Sequence, residues 1–489
     1  MPIPAEAFFL PADRSGTLQQ SIRQMVAEGI VSGRFRPGDK MPSSRGLADH
    51  LGISRITVTL AYIELVASDY LTPRSRSGYF VSETAPRQPD FTASPGPEGA
   101  VVDYAAYTGR RYSSADRLDK PSDWARYPYS FIYGQADPSL FDHQNWRLCA
   151  VRALGKRDFE ALTADYYDRD DPLLIEYVLR NILPRRGITA RPGEVLMTMG
   201  AQNALWLAAQ VLLEPGSRAV VENPTYPGLR AILAQTTAEV LPVNVDADGL
   251  PPESLPGDVD VVFASASHQC PTNATMPLAR RIDLLQAASD RDFVVVEDDY
   301  EFEMSFLRSV SPSLKSLDRE GRVIYVGSFS KSLFPGLRLG YIVAPEAFIR
   351  EARALRALVL RHPPGHVQRT AAYFLSLGHY DALINRMKTA YKRRRILMDD
   401  AIREHGLTVA GQGGFGGSSF WMRAPEGVDT EDLARQLRGD GVLIEPGRLF
   451  FDPTNAPRNH YRLAYSSVGP SRIAEGIGLI ANALANASL

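Results

Sequence analysis

Lys331 stands between two serines at the end of an apolar run, in VGSFSKSLFPGLRLGY, residues 326–341. Taken alone, such a lysine reads as a polar surface turn. Other apolar runs in the same part of the chain, however, end in residues of complementary chemistry. GEVLMTM leads through Gly200, Ala201 and Gln202 into the helical pattern AQNALWLAAQVLL, whose first turn offers unpaired N–H groups to a phosphate. VVENPTYPG exposes Tyr226, a flat ring suited to stacking, and VVVEDDYEFE presents Asp298 and Tyr300. Ser328, Ser330 and Arg338 flank the lysine and can neutralise a phosphate. In an open parallel sheet, ligands bind at the carboxyl ends of the strands, so these residues are expected to converge. A lysine, a carboxylate, a phenol, a stacking ring and a phosphate seat together describe a pocket for pyridoxal 5'-phosphate. Lys331 would form the Schiff base with its aldehyde, and a carboxylate would keep the pyridine nitrogen protonated so that the ring acts as an electron sink. Asp299 follows Asp298 directly, and strand alternation sends the two to opposite faces, so only one should meet the cofactor.

The elements that must position these residues follow from pattern. Short apolar runs alternate with helical segments from GEVLMTM to GRVIYVGSFS, which predicts a mainly parallel sheet covered by helices on both faces. From about Met387 onward, helices mix with strands such as SSFWMRA and HYRLAYSS, and a smaller α+β domain is expected. The other end of the chain is different. Thr17 to Val81 reads as three helices and a β-ribbon: Leu18, Ile22, Met25, Val26 and Ile30 share one helical face, Leu47, Ala48 and Leu51 a second, and Val58, Tyr62 and Leu65 a third. YLTPRSRSGYFVS then forms two short strands, with Gly78 available for a left-handed turn. Between the two parts, TAPRQPDFTASPGPEGA loses all periodicity and reads as a linker. The expected domains are residues 14–82, a linker at 83–125, and residues 126–489.

Two helices joined by a tight Gly-Ile-Ser turn and followed by a basic hairpin match a winged helix-turn-helix. Ser54, Arg55, Thr57 and Thr59 lie near the start of the helix that would enter the major groove. Arg45 is placed to reach phosphate, while Arg76 and Gly78 belong to the wing. Eight basic residues oppose five acidic ones between Leu18 and Val81, although the whole chain carries a net charge of −2. This segment resembles the GntR family of bacterial regulators, on the phrases PGDKMPSSRGLA and SRITVTLAYIELV.

The region from about Tyr127 to the C-terminus resembles the fold-type I aminotransferases of class I and II. The resemblance implies that Lys331 is the cofactor lysine, Asp298 the carboxylate at the pyridine nitrogen, Tyr300 the phenol at the ring hydroxyl and Tyr226 the stacking ring. It implies that Ser328, Ser330 and Arg338 hold the phosphate, and that Arg462 in HYRLAYSS grips an acid group on the bound amine. One motif departs: the family's NPTG turn is Cys270-Pro271-Thr272-Asn273, which removes the asparagine that bonds the ring hydroxyl. Both halves in this order resemble the MocR/GabR subfamily. That implies a head-to-tail homodimer that binds double-stranded operator DNA and senses an amino acid, ω-amino acid or taurine-like compound through the cofactor. The alternative is a catalytically active aminotransferase with an accessory DNA-binding module.

Several classes are excluded or set aside. Cys149 and Cys270 are the only cysteines, too few for a disulfide framework or zinc cluster, and a cytoplasmic protein is expected. No stretch approaches membrane-spanning length. GQGGFG, residues 411–416, precedes a strand pattern and not a helix, so it is read as a loop. RHPPGH carries His362 and His366 without a third ligand, and no metal is expected. YKRRRI, residues 391–396, is read as a solvated helix face.

Overall fold

Thr17 and Gln20 form a reciprocal capping box at the start of α1 (Leu18–Val31), which turns Ile22, Val26 and Ile30 inward. Ser43 caps α2 (Ser44–Leu51), and Gly52 ends it at φ 64°, a left-handed position that favours glycine. Ser54 caps α3 (Arg55–Ala67), which buries Val58, Tyr62 and Leu65. Strands β1 (Leu71–Arg74) and β2 (Gly78–Val81) pair antiparallel. Their turn takes two left-handed positions, the expected Gly78 at φ 99° and also Arg76 at φ 58°. Phe8, Phe35, Leu47 and Val81 close a single core with the inward faces of the three helices. The computed structural model describes residues 2–10, 16–86, 99, 102–109, 112, 118, 120–135, 137–309 and 311–487. The chain divides into the units Met1–Arg110 and Arg111–Leu489. About half of the expected linker lies outside the described residues.

The first strand of the second unit is β3 (Tyr129–Ser130). Its main sheet has seven strands: β4 (Val195–Thr198), β5 (Arg218–Asn223), β6 (Glu239–Asn244), β7 (Val261–Ala264), β8 (Val294–Asp298), β9 (Val323–Ser328) and β10 (Gly340–Val343). In space they run β4-β10-β9-β8-β7-β5-β6. All neighbouring pairs are parallel except those of β10, which lies antiparallel to both β4 and β9. The segment from β9 to β10 carries only a single 3-10 turn, too little chain for the crossover a parallel neighbour requires. Strands β4, β7 and β9 are buried along their whole length, as a sheet covered on both faces demands.

The smaller part holds a four-stranded sheet, β11 (Thr408–Val409), β12 (Ser419–Arg423), β15 (His460–Ala464) and β14 (Glu445–Pro446), in that spatial order. Strand β13 (Val442–Leu443) pairs with β3, tying the start of this unit to its end. GQGGFG forms the loop between β11 and β12, as read from the sequence. YKRRRI corrects its expectation. It lies in the helix His379–Glu404, but Tyr391, Arg394 and Arg395 are buried in it. Arg394 pairs with Asp137, and Arg395 donates to the Gly416 carbonyl while its guanidinium covers the Phe420 ring at 4.1 Å. Two of the three arginines are therefore packing and bonding groups, and only Lys392, Arg393 and Ile396 face water. No described helix is long and apolar enough to cross a membrane.

Candidate functional site

Three strand ends of the main sheet deliver the pocket. Strand β8 ends at Asp298, which is buried and whose Oδ1 has no hydrogen-bond partner among the described residues. Burial raises its pKa to about 7, with Asp299 and Glu222 pushing the same way. Asp299 points to the other face, as alternation requires: it accepts from Arg186 Nε at 2.6 Å and from Tyr325 Oη at 2.8 Å. Strand β9 ends at Ser328, whose Oγ accepts from the Ser330 N–H at 3.2 Å, and Lys331 follows. The Lys331 Nζ lies 3.8 Å from the centroid of the Tyr133 ring. Burial, together with Lys120 and Arg462, brings the Lys331 amine down to about 7 against the pull of Glu301 and Glu445. A lysine so placed is substantially uncharged near neutral pH, which is the nucleophilic form.

The phosphate side is built where β4 turns into the helix Ala201–Leu212. Gly200 caps that helix at φ 83°, and a Cβ there would lie 3.2 Å from the Arg338 guanidinium. Arg338 itself holds a left-handed φ of 52° and donates to the Met199 carbonyl at 3.1 Å. Gln202 meets Tyr226 Oη at 3.5 Å. Tyr226 and Tyr300 both pack against an apolar cluster of Cys270, Trp421 and Phe450. Thus Gly200, Ala201, Gln202, Tyr226, Asp298, Tyr300, Ser328, Ser330, Lys331 and Arg338 all lie at or beside the expected strand ends.

Arg462 sits mid-strand on β15, opposite both Trp421 of β12 and Glu445 of β14. Its Nε donates to Glu445 Oε2 at 2.7 Å, and its guanidinium lies 4.1 Å from the same Tyr133 ring that Lys331 faces. Burial raises the Glu445 pKa, but Arg462 and Lys120 outweigh it and hold the carboxyl down at about 2. Cys270 Sγ lies 3.8 Å from Arg462 Nη1, and burial pushes its thiol up to about 11, which rules out a resting thiolate. Asn273, in place of the usual glycine, takes φ 58° and donates to the Ser419 carbonyl. Asparagine tolerates that conformation better than other non-glycine residues, so the turn keeps its shape. Sequence reasoning missed Tyr133, Glu301, Lys120 and Glu445. Tyr133 Oη donates to buried Glu301 at 2.9 Å, whose Oε1 has no hydrogen-bond partner among the described residues.

In the first unit, Arg45, Arg55 and Arg76 are exposed. Ser54 and Thr57 are partly spent on capping, with Ser54 Oγ accepting from the Thr57 N–H at 3.2 Å. Thr59 Oγ1 donates to the Arg55 carbonyl at 2.9 Å. Arg55 Nε donates to Ser44 Oγ at 3.4 Å, and the guanidinium is otherwise exposed at this helix start. Ile56 beside Arg55 is 72% exposed, a large apolar side chain that the sequence reading did not single out.

Two family models match this chain. Residues 18–81 match the bacterial regulatory proteins of the gntR family, and residues 150–476 match aminotransferase class I and II. The HTH-type transcriptional regulator TauR of Rhodobacter capsulatus is 65% identical over 484 residues, 99% of this chain and 100% of that protein. The chain belongs to the MocR-type regulators of the GntR family. A probable rhizopine catabolism regulatory protein, MocR of Rhizobium meliloti, is 29% identical over 97% of this chain and 95% of its own length. Among solved structures, the α-aminoadipate aminotransferase LysN of Thermus thermophilus, complexed with N-(5'-phosphopyridoxyl)-L-leucine, covers 79% of this MocR-type chain and 99% of its own, with TM-score 0.71 and 28% identity.

The pocket of this MocR-type chain fits pyridoxal phosphate. The unpartnered Asp298 Oδ1 suits a protonated ring nitrogen, and Gly200, having no side chain, lets the Arg338 guanidinium pack against the start of the helix, whose unpaired N–H groups suit a phosphate. On the DNA side, Arg55→Ala is expected to weaken operator binding by roughly 10–100-fold, the range of one lost bidentate base contact. The visible absorbance of bound cofactor should not change. Mobility shift and absorbance on one preparation check both, and wild-type operator affinity would remove Arg55 from the reading surface.

Proposed function

We propose that this chain is a cytoplasmic, homodimeric regulator whose operator affinity is set by a small amine carrying an acid group. The observation that carries the reading is the shared Tyr133 ring: Lys331 Nζ and the Arg462 guanidinium both lie within about 4 Å of its centroid. The nucleophile for the amine's carbonyl partner and the cation for its acid group are thus separated by no more than the sum of these distances. That spacing suits a short chain between amine and acid. Pyridoxal phosphate, when bound, supplies an electrophilic carbon and an electron-withdrawing ring. Lys331 provides an amine that is substantially uncharged near neutral pH, Asp298 holds a proton at the ring nitrogen, and Arg462 orients the acid group.

Both carboxylates and sulfonates satisfy Arg462, and the name of the relative TauR favours taurine as the probe. Cys270, where the family usually has asparagine, withholds a strong hydrogen bond from the ring hydroxyl and favours sensing over turnover. Leu148, Val151 and Leu154 are exposed along the end of one helix, an apolar edge that supports association of two copies. The test is binding of the full, cofactor-loaded protein to a duplex from upstream of its own gene, with and without taurine and at two salt concentrations. Sequence-dependent binding that taurine shifts supports the reading. Binding no tighter than to a scrambled duplex, with a keto product accumulating from amine, would replace it with an aminotransferase.

A further inference from the structure

Lys120 belongs by sequence to the segment expected to link the two modules, yet it is anchored beside Arg462. Its Nζ pairs with Glu445 Oε1 at 2.8 Å and donates to the Tyr133 carbonyl at 2.6 Å. Leu118, two residues earlier, packs on the apolar cluster of Cys270, Trp421 and Phe450. Glu445 is buried and grips both cations, one on each carboxylate oxygen. The cluster of Lys120, Arg462 and Glu445 therefore carries one net positive charge in a largely dry site, which a single anion neutralises.

Resting on the reading of Arg462 given above, we propose that Lys120 is the second cation of the seat for the effector's acid group. The seat is then completed by the chain that leads from the DNA-binding module. The donor count supports this. Arg462 spends its Nε on Glu445 and one Nη1 N–H on Cys270 Sγ, and keeps its other outer N–H groups. Lys120 has three N–H donors, of which the Tyr133 carbonyl takes one, while its ammonium is ion-paired with Glu445 Oε1. A planar carboxylate is satisfied by the arginine fork alone. A tetrahedral sulfonate has a third oxygen, and the remaining Lys120 N–H is the donor that can meet it. The class of ligand favoured is thus a short amino sulfonate over the amino carboxylate of equal length. Lys120 also carries the occupancy of the seat to the preceding chain, since an anion that draws its ammonium away from Glu445 moves the residue that anchors that chain.

The experiment titrates cofactor-loaded, full-length protein with taurine and with β-alanine, which differ only in the acid group, and follows the visible absorbance of the bound cofactor. Lys120→Met is expected to weaken taurine binding at least tenfold and β-alanine binding less than threefold, with the cofactor's visible absorbance retained before ligand is added. Lys120→Arg, which keeps the charge, should restore most of the taurine affinity. Arg462→Met should lose both ligands. If Lys120→Met binds taurine as the wild type does while Arg462→Met loses both, Lys120 is a structural tie and the proposal is overturned, with the reading of Arg462 intact. If Arg462→Met binds as the wild type does, or the wild type responds to neither amine, the acid group is not held here and both readings fall. Loss of cofactor absorbance in both Lys120 variants would also overturn it, because the lysine would then be needed for the pocket and not for the anion.

Discussion

Lys331→Met removes the cofactor's visible absorbance and the operator's response to amine, while DNA affinity without effector stays within about threefold of wild type. Methionine approximates the volume of lysine, so the pocket keeps its packing and the loss is chemical. The size of the effect follows from the amine's protonation. At an ordinary lysine pKa of 10.5, only about one amine in three thousand is uncharged at pH 7, whereas Lys331 at about 7 is roughly half uncharged. The protein therefore gains about a thousandfold in reactive amine from burial and neighbouring cations. The direction of the pH dependence is fixed by the same shift. A lysine lowered to about 7 is protonated below that pH and free above it, so cofactor capture by the apo protein should accelerate as pH rises to about 7 and then level off. Stopped-flow absorbance after mixing with pyridoxal phosphate reads this directly. A rate that keeps climbing towards pH 10 would show an ordinary lysine, and an amine response retained by Lys331→Met would remove the lysine from the sensing step.

What could be read in the sequence was whatever local pattern encodes. The three capped helices of the first unit are spelled by Thr17, Ser43 and Ser54 ahead of 3.6-residue periodicity. Strand alternation alone separated Asp298 from Asp299, and the fold puts them on opposite faces. The hidden part is made of partners far apart in the chain. Tyr133 meets Glu301 across 168 residues, and Glu445 faces Arg462 only because two-residue β14 pairs in one register with β15. No periodicity marks a strand that short. Lys120 was hidden differently: a segment rich in proline and glycine reads as linker, yet its single lysine is bonded in the pocket. The same blindness produced the error at YKRRRI. Charge suggested solvent, while Asp137 and distant carbonyls had already matched Arg394 and Arg395.

Arg186→Met is expected to lower the stability of the second unit by about 3–5 kcal/mol, the range for removing one partner of a fully buried ion pair. The reason lies under the cofactor pocket. Glu297, Asp298, Asp299, Glu301 and Glu303 are all buried within seven residues of chain. Each has a separate arrangement. Glu297 accepts from the Leu314 and Lys315 N–H groups, Glu303 from Tyr380 Oη, and Glu301 from Tyr133 Oη. Asp298 is left for the cofactor. Asp299 depends on Arg186, whose three donating nitrogens reach Asp299 Oδ2, the Ser311 carbonyl and Ser267 Oγ at 2.6, 2.7 and 2.8 Å. Burial lowers the arginine's pKa, but Asp299 and its neighbours raise it further, so the guanidinium stays charged. Without it, Asp299 keeps only Tyr325 Oη and faces Glu297 and Asp298, while the remaining buried cation, Arg281, is paired with Glu297. Urea unfolding followed by circular dichroism measures the loss. The double variant Arg186→Met, Asp299→Asn removes both charges and should recover at least half of it, because the penalty comes from the stranded carboxylate more than from the missing bond. A single variant that loses less than about 1 kcal/mol would show that Asp299 does not depend on Arg186 as its counter-charge.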